Sequence, residues 1–230
     1  METGVWSAGN SFGVTCEAFG ILEYARTVKE HTNGSARNEK IFCVTPILKK
    51  EGNMYKAAII GTGNVILTKH QEAYAALSDI TPWVVCDPSP EACKNAREKF
   101  GVPAARCVQD LAGLDAFQDE IDFAVVATPV KYQVDTVLHC AGLRWDVLCE
   151  KPLAMNLDEA DRMLDATEAA GVRFGMVHNY YHMNITGDCL ATIRAGEIGD
   201  VRLVRGEVSE GQWPRDAWRA DKALGGFGHF

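Results

Sequence analysis

The stretch Met54-Tyr55-Lys56-Ala57-Ala58-Ile59-Ile60-Gly61-Thr62-Gly63-Asn64-Val65-Ile66 decides the fold class. Residues 56–60 form an apolar run of strand length, continuous rather than alternating, as in parallel strands covered on both faces. Gly61-Thr62-Gly63 follows at once, and a helical segment over residues 69–77 comes next. In such a junction Gly61 permits the tight turn, and Gly63, lacking a side chain, lets the backbone approach a pyrophosphate. The helix beyond offers unpaired N–H donors and the positive end of its dipole. Gly61, Thr62, Gly63, Asn64 and Val65 are therefore the candidate phosphate cradle. The third glycine of a G-x-G-x-x-G fingerprint is absent, because Ile66 holds that place. A merely tight strand–helix turn fits these residues too.

The alternation continues downstream. Strand-length apolar runs recur at residues 83–86, 123–127 and 147–149, separated by helical segments at 90–100 and 130–141 and followed by one at 157–170. That last helix is bounded by Asn156 or Asp158 as N-cap and by Gly171 as its stop, and Gly101 closes the helix at 90–100. The pattern predicts right-handed βαβ units in an α/β fold, a doubly wound parallel sheet of the Rossmann type. Asp87 ends the second of these strands, twenty-four residues beyond Gly63, where a carboxylate hydrogen-bonds an adenosine ribose. No arginine follows in Pro88-Ser89-Pro90 to receive a 2′-phosphate, so the expected cofactor is NAD rather than NADP. Capping of the helix that starts near Pro90 is the plainer role for Asp87. Ala127-Thr128-Pro129 ends another strand and should face the cofactor, since ligands of open α/β sheets lie beyond the strands' carboxyl ends. Pro129 also suits an ordinary first helical turn.

Cys149-Glu150-Lys151-Pro152 closes the next strand on the same side. Pro152 biases Lys151 away from the helical region, so its ammonium projects from a held backbone. Beside a nicotinamide, that cation would hydrogen-bond a substrate hydroxyl and ease its deprotonation, with Glu150 orienting it. A surface Glu-Lys pair before a turn is the competing reading.

Taken together, Gly61-Thr62-Gly63-Asn64, Ala127-Thr128-Pro129, Cys149-Glu150-Lys151-Pro152-Leu153-Ala154 and Gly196-Glu197-Ile198-Gly199-Asp200-Val201 resemble the glucose–fructose oxidoreductase / inositol dehydrogenase family, Gfo/Idh/MocA. The similarity runs from about Met54 to Phe230, and Glu-Lys-Pro is its most specific part. It implies NAD(P)-dependent oxidation or reduction of sugars, inositols and related polyols, with Lys151 as the active-site lysine. It also implies a second, α+β domain after the Rossmann domain and a homo-oligomer when full length. Residues 54–177 would then be the nucleotide domain, residues 178–230 an incomplete α+β domain, and residues 1–53 an N-terminal extension with Met54 as a candidate natural start. In the family's terms His178 and Asn179 lie near the nicotinamide end, and with Tyr180, Trp218 and Arg219 they are the candidate substrate residues.

Three departures stand out. Gln133 occupies the place where the family usually carries histidine, four residues after the Thr-Pro proline. The histidine-x-x-arginine signature appears as His178-Asn179-Tyr180-Tyr181, without its arginine. The family's Asp-x-x-x-His pair is missing: Gly225 stands four residues before His229, and the sequence ends at Phe230. The chain therefore reads as C-terminally truncated, a fragment of an NAD-dependent sugar or polyol oxidoreductase. Two other functions fit the same residues. One is a non-catalytic, redox-sensing dinucleotide module, and the other is a glycosidase of the same family that uses bound NAD transiently.

Composition narrows the partners. The formal charge is −8, and residues 1–53 hold equal numbers of acids and bases, so the excess lies in residues 54–230. That balance argues against nucleic acid. Without an apolar stretch long enough for a membrane helix or a signal peptide, the expectation is a cytoplasmic protein with no membrane partner. The eight cysteines show no C-x-x-C spacing and read as reduced, buried small residues. His178 and His182 stand four apart but lack the accompanying glutamate of a zinc motif, so no metal is expected. His70, behind the phosphate loop, suits packing or catalysis alike. Tyr180, Tyr181, Trp213 and Trp218 suit a sugar pocket, a core or an interface.

Overall fold

A computed structural model describes residues 54–205 and 221–225. The expectations for residues 1–53, Trp213, Trp218, Arg219 and His229 lie outside those residues, as does the side chain of His182.

Six parallel strands form one sheet: β1 (Tyr55–Ile60), β2 (Ile80–Cys86), β3 (Cys107–Val108), β4 (Phe123–Val126), β5 (Asp146–Cys149) and β6 (Phe174–Met176). Their order is β3-β2-β1-β4-β5-β6, so the winding reverses at β1, between β2 and β4. This is the doubly wound sheet that the strand–helix alternation implied. The helices are α1 (Gln71–Ala76), α2 (Pro90–Phe100), α3 (Gln133–Gly142), α4 (Leu157–Ala170), α5 (Asn184–Arg194) and the single turn α6 (Lys222–Gly225). None of the described helices is long and apolar enough to cross a membrane.

The continuous apolar runs divide residue by residue between two layers. Ala58, Ile60, Ala124, Val126, Val147 and Cys149 face Val134, Val137 and Cys140 of α3 and Met163 of α4. Their neighbours Ala57, Ile59, Phe123, Val125 and Leu148 face Ile66, Tyr74 of α1, and Cys93 and Ala96 of α2. A sheet with period-two side chains and helices on both sides leaves no polar face, hence the unbroken runs. The layer stops beyond β6, for α5 buries none of its residues.

Pro82 conceals the start of β2. Ala57 pairs with Pro82 but Ala58 with Val84, so Trp83 is an extra residue in the ladder. That bulge puts Ile80 and Val84, four apart, on opposite faces. One expectation needs correction. Cys93 and Cys107 are joined in a disulfide, because α2 folds back across the β2–β3 edge, where Cys93 Sγ also contacts the Val108 carbonyl. Cys86, Cys140 and Cys149 are buried free thiols, whereas Cys189 is exposed.

Candidate functional site

The residues just past the strand ends form a line. Hydrogen bonds carry the ladder one step beyond the strands: Gly61 N–H donates to Cys86 O, Ala127 N–H to Ile60 O, Glu150 N–H to Val126 O and Val177 N–H to Cys149 O, each at 2.7–2.8 Å. The backbone therefore sets Asp87, Gly61, Ala127, Glu150 and His178 along one carboxyl edge of the sheet. It brings the glycine loop, the Thr-Pro turn and the Glu-Lys-Pro loop together around the switch point.

The two loop glycines do different jobs. Gly61 has φ +81°, and a Cβ there would lie 2.7 Å from the backbone of Ala127 and Thr128. Only glycine lets these loops cross so closely. A Cβ on Gly63 would meet nothing within 4 Å, so its face is open. The helix begins at Asn64, and the first-turn N–H groups of Asn64 and Val65 have no earlier helical carbonyl to bond.

Asp87 has a role that spacing did not reveal. Its Oδ2 accepts the Thr62 backbone N–H at 2.8 Å and the Thr62 hydroxyl at 3.0 Å, while Oδ1 accepts the Ser89 N–H at 2.9 Å. The carboxylate thus buckles the glycine loop to the end of β2. Ser89, not Asp87, is the N-cap of α2, accepting the Ala92 N–H. With three hydrogen bonds received, a carboxylate keeps about one acceptor position for a further donor.

Glu150 is 8% exposed and is committed at both oxygens. Oε1 lies 2.8 Å from Nε2 of buried His70, and Oε2 accepts the Lys151 backbone N–H at 3.2 Å. Gln133, 1% exposed, donates its side-chain N–H to the Glu150 carbonyl at 3.0 Å. Among the described residues, the exposed Lys151 amine has no ion-pair partner. Neither reading of this pair holds among the described residues, the surface Glu-Lys pair or Glu150 orienting the ammonium: the carboxylate turns inward to His70 and leaves the Lys151 amine uncommitted. The Lys151–Pro152 peptide is cis. Cys149 is no nucleophile, since burial first, then Glu150 and Cys140, raise its thiol pKa. His178, Asn179 and Tyr180 are exposed beside this loop, just past β6. No three His, Cys, Asp or Glu side chains converge as a metal site among the described residues.

The family model for the oxidoreductase family with an NAD-binding Rossmann fold, GFO_IDH_MocA, matches residues 55–178. The chain belongs to the Gfo/Idh/MocA family. Glucose-6-phosphate 3-dehydrogenase of Bacillus subtilis is 28% identical to it over 152 residues, covering 66% of this chain and 41% of that protein. Myo-inositol 2-dehydrogenase of Thermotoga maritima is 28% identical over 122 residues, 51% of this chain and 34% of that one. The crystal structure of an inositol dehydrogenase homolog from Azotobacter vinelandii, complexed with NAD+, aligns with a TM-score of 0.67 at 25% identity, covering 76% of this chain and 49% of the other. The chain spans less than half the length of these relatives.

The residues of this Gfo/Idh/MocA chain fit a dinucleotide on their own evidence. Thr128 Oγ1 and Gln133 Oε1 are buried without a hydrogen-bond partner among the described residues. Buried polar atoms normally find partners, so the Thr128 orphan, in the turn that touches Gly61, and the unpaired helix-start N–H groups are what a bound polar ligand would satisfy. The contact of His70 with Glu150 is another that spacing does not reveal, since the two residues stand eighty positions apart.

Proposed function

We propose that this Gfo/Idh/MocA chain is the nucleotide-binding part, residues 54–177, of an NAD-dependent dehydrogenase for a sugar, inositol or related polyol. Residues 178–230 would open its α+β substrate domain. The observation that carries the reading is the uncommitted Lys151 ammonium, held on the same strand-end line as the glycine loop. NAD, when bound, supplies the nicotinamide carbon that accepts or returns a hydride. Gly61 to Val65 would hold its pyrophosphate, Asp87 a ribose hydroxyl, and Ala127, Thr128, Pro129 and Glu150 the walls of the nicotinamide side. Lys151 donates a hydrogen bond to the substrate hydroxyl and lowers the cost of removing its proton. His178, Asn179 and Tyr180 reach the same substrate from the end of β6, with Trp218 and Arg219 added by their motif.

The preference for NAD over NADP rests on Asp87. Its carboxylate, fixed by Thr62 and Ser89, would repel a 2′-phosphate, and Pro88-Ser89-Pro90 offers no arginine to receive one. The proposed enzyme is cytoplasmic and homo-oligomeric. Polyol-dependent NADH formation in that protein is the test. Lys151→Ala is expected to lower turnover about 10²–10⁴-fold while NADH affinity stays within about threefold. Unchanged turnover in the variant would refute the assignment of Lys151.

A further inference from the structure

We propose that His70 and Gln133 are positioning residues: His70 holds the Glu150 carboxylate away from the neighbouring Lys151 amine, and Gln133 fixes the Glu150 backbone carbonyl from which that side chain departs. The inference rests on Lys151 being the active-site lysine. A carboxylate one residue away can pair with an ammonium when nothing else holds it, since a nearby opposite charge favours both charged forms. Here it does not. His70 Nε2, 2.8 Å from Oε1, holds the carboxylate in the interior, and the Lys151 backbone N–H takes Oε2. His70 and Glu150 are 7% and 8% exposed. Burying two such polar groups is costly unless each is the other's partner. The contact is thus a specific structural commitment.

The two braces come from the turns that follow the glycine loop and the Thr-Pro turn. His70 ends the π turn Ile66–His70, whose first N–H groups, those of Ile66 and Leu67, donate to Gly63 O of the glycine loop. The π turn carries one residue more than an α turn, which shifts the phase of everything after it. Gln133 opens α3 directly behind the Thr-Pro turn, where Tyr132 N–H donates to Pro129 O. An amide N–H at Gln133 makes, with the Glu150 carbonyl, a bond that an imidazole N–H could also supply. This accounts for glutamine at a place where a histidine was expected. Glu150 is therefore where the glycine loop, the Thr-Pro turn and the lysine loop meet.

The consequence is chemical. Without His70, the Glu150 carboxylate is free to pair with the Lys151 ammonium, which holds its proton more firmly and reacts more slowly with an acylating reagent. The experiment is competitive acetylation of the folded chain with acetic anhydride at one pH. Lys151 is read against exposed Lys94 by peptide mass spectrometry, without nucleotide and then with NADH. His70→Ala is expected to slow Lys151 at least threefold relative to Lys94, and His70→Gln, which restores an N–H donor, to recover most of that rate. Gln133→Leu, which removes the second brace alone, is expected to act in the same direction, and it replaces His70→Ala if circular dichroism shows that variant unfolded. An unchanged Lys151-to-Lys94 ratio in the folded variants overturns the brace. Failure of NADH to protect Lys151 in the wild-type chain instead counts against the nucleotide reading. The ratio without nucleotide judges the brace independently.

Discussion

Gly61 and Gly63 sit two residues apart in one loop, and substitution separates what each does. At Gly61 an added Cβ meets backbone at 2.7 Å in a positive-φ conformation, so the loops must part. Gly61→Ala is expected to cost on the order of 2 kcal/mol of stability, read as a lower denaturation midpoint, and to abolish nucleotide binding. At Gly63 nothing stands within 4 Å. Gly63→Ala should keep the wild-type midpoint yet weaken NADH at least about tenfold, because the methyl occupies the face a pyrophosphate needs. Asp87 gives a third comparison. Asp87→Ala removes both the loop buckle and the repulsion of a 2′-phosphate, so NADH affinity should fall and the NADH-to-NADPH preference should shrink by about tenfold. A preference unchanged in competition binding would limit Asp87 to its hydrogen bonds with Thr62 and Ser89.

The elements were legible in proportion to their length and to the locality of their signals. β1, β4 and β5 announce themselves as unbroken apolar runs, whereas β3 and β6 have only two and three residues and carry no readable period. β2 reads three residues too short, because Pro82 looks like a breaker until a bulge absorbs it. The helix read over residues 130–141 begins as a 3₁₀ turn, Val130–Tyr132, before α3. Capping was local and therefore visible. Asn156 accepts the Glu159 N–H at 2.9 Å, and Glu159 returns a bond to the Met155 N–H at 3.0 Å, while Gly171 takes φ +68° at the other end of α4. Asn156→Ala is expected to lower stability by about 1 kcal/mol in urea denaturation, with no change in NADH affinity. The contacts of Asp87 with Thr62 and of Glu150 with His70 join residues far apart in the chain, and only the closed sheet reveals them.

Across the molecule, the sheet buries groups that must stay neutral. Burial, then Asp87 and Asp110, pushes the Cys86 thiol up to about 12, and burial drives the thiols of Cys140 and Cys149 and the Tyr74 phenol higher still. The unfolded chain ionises these groups from about pH 9 upward, while the native protein keeps their protons. The native state then binds more protons, so stability must fall as pH rises from about 9 toward 12. The urea midpoint is expected to drop between about pH 8.5 and 10.5. Cys140→Ala should make that drop shallower, by up to about 1.4 kcal/mol per pH unit. Equal slopes in the two proteins would mean that Cys140 is not held as a thiol.

One continuous carboxyl edge, with Asp87, the open face of Gly63 and the Lys151 loop in line, is the basis for reading this chain as an NAD-binding oxidoreductase. The most direct test is a fluorescence titration of the folded chain with NADH and with NADPH, alongside circular dichroism on the same sample. The site as described predicts saturable binding with NADH preferred by about tenfold or more, lost in Gly63→Ala. A folded wild-type chain that binds neither nucleotide would contradict it.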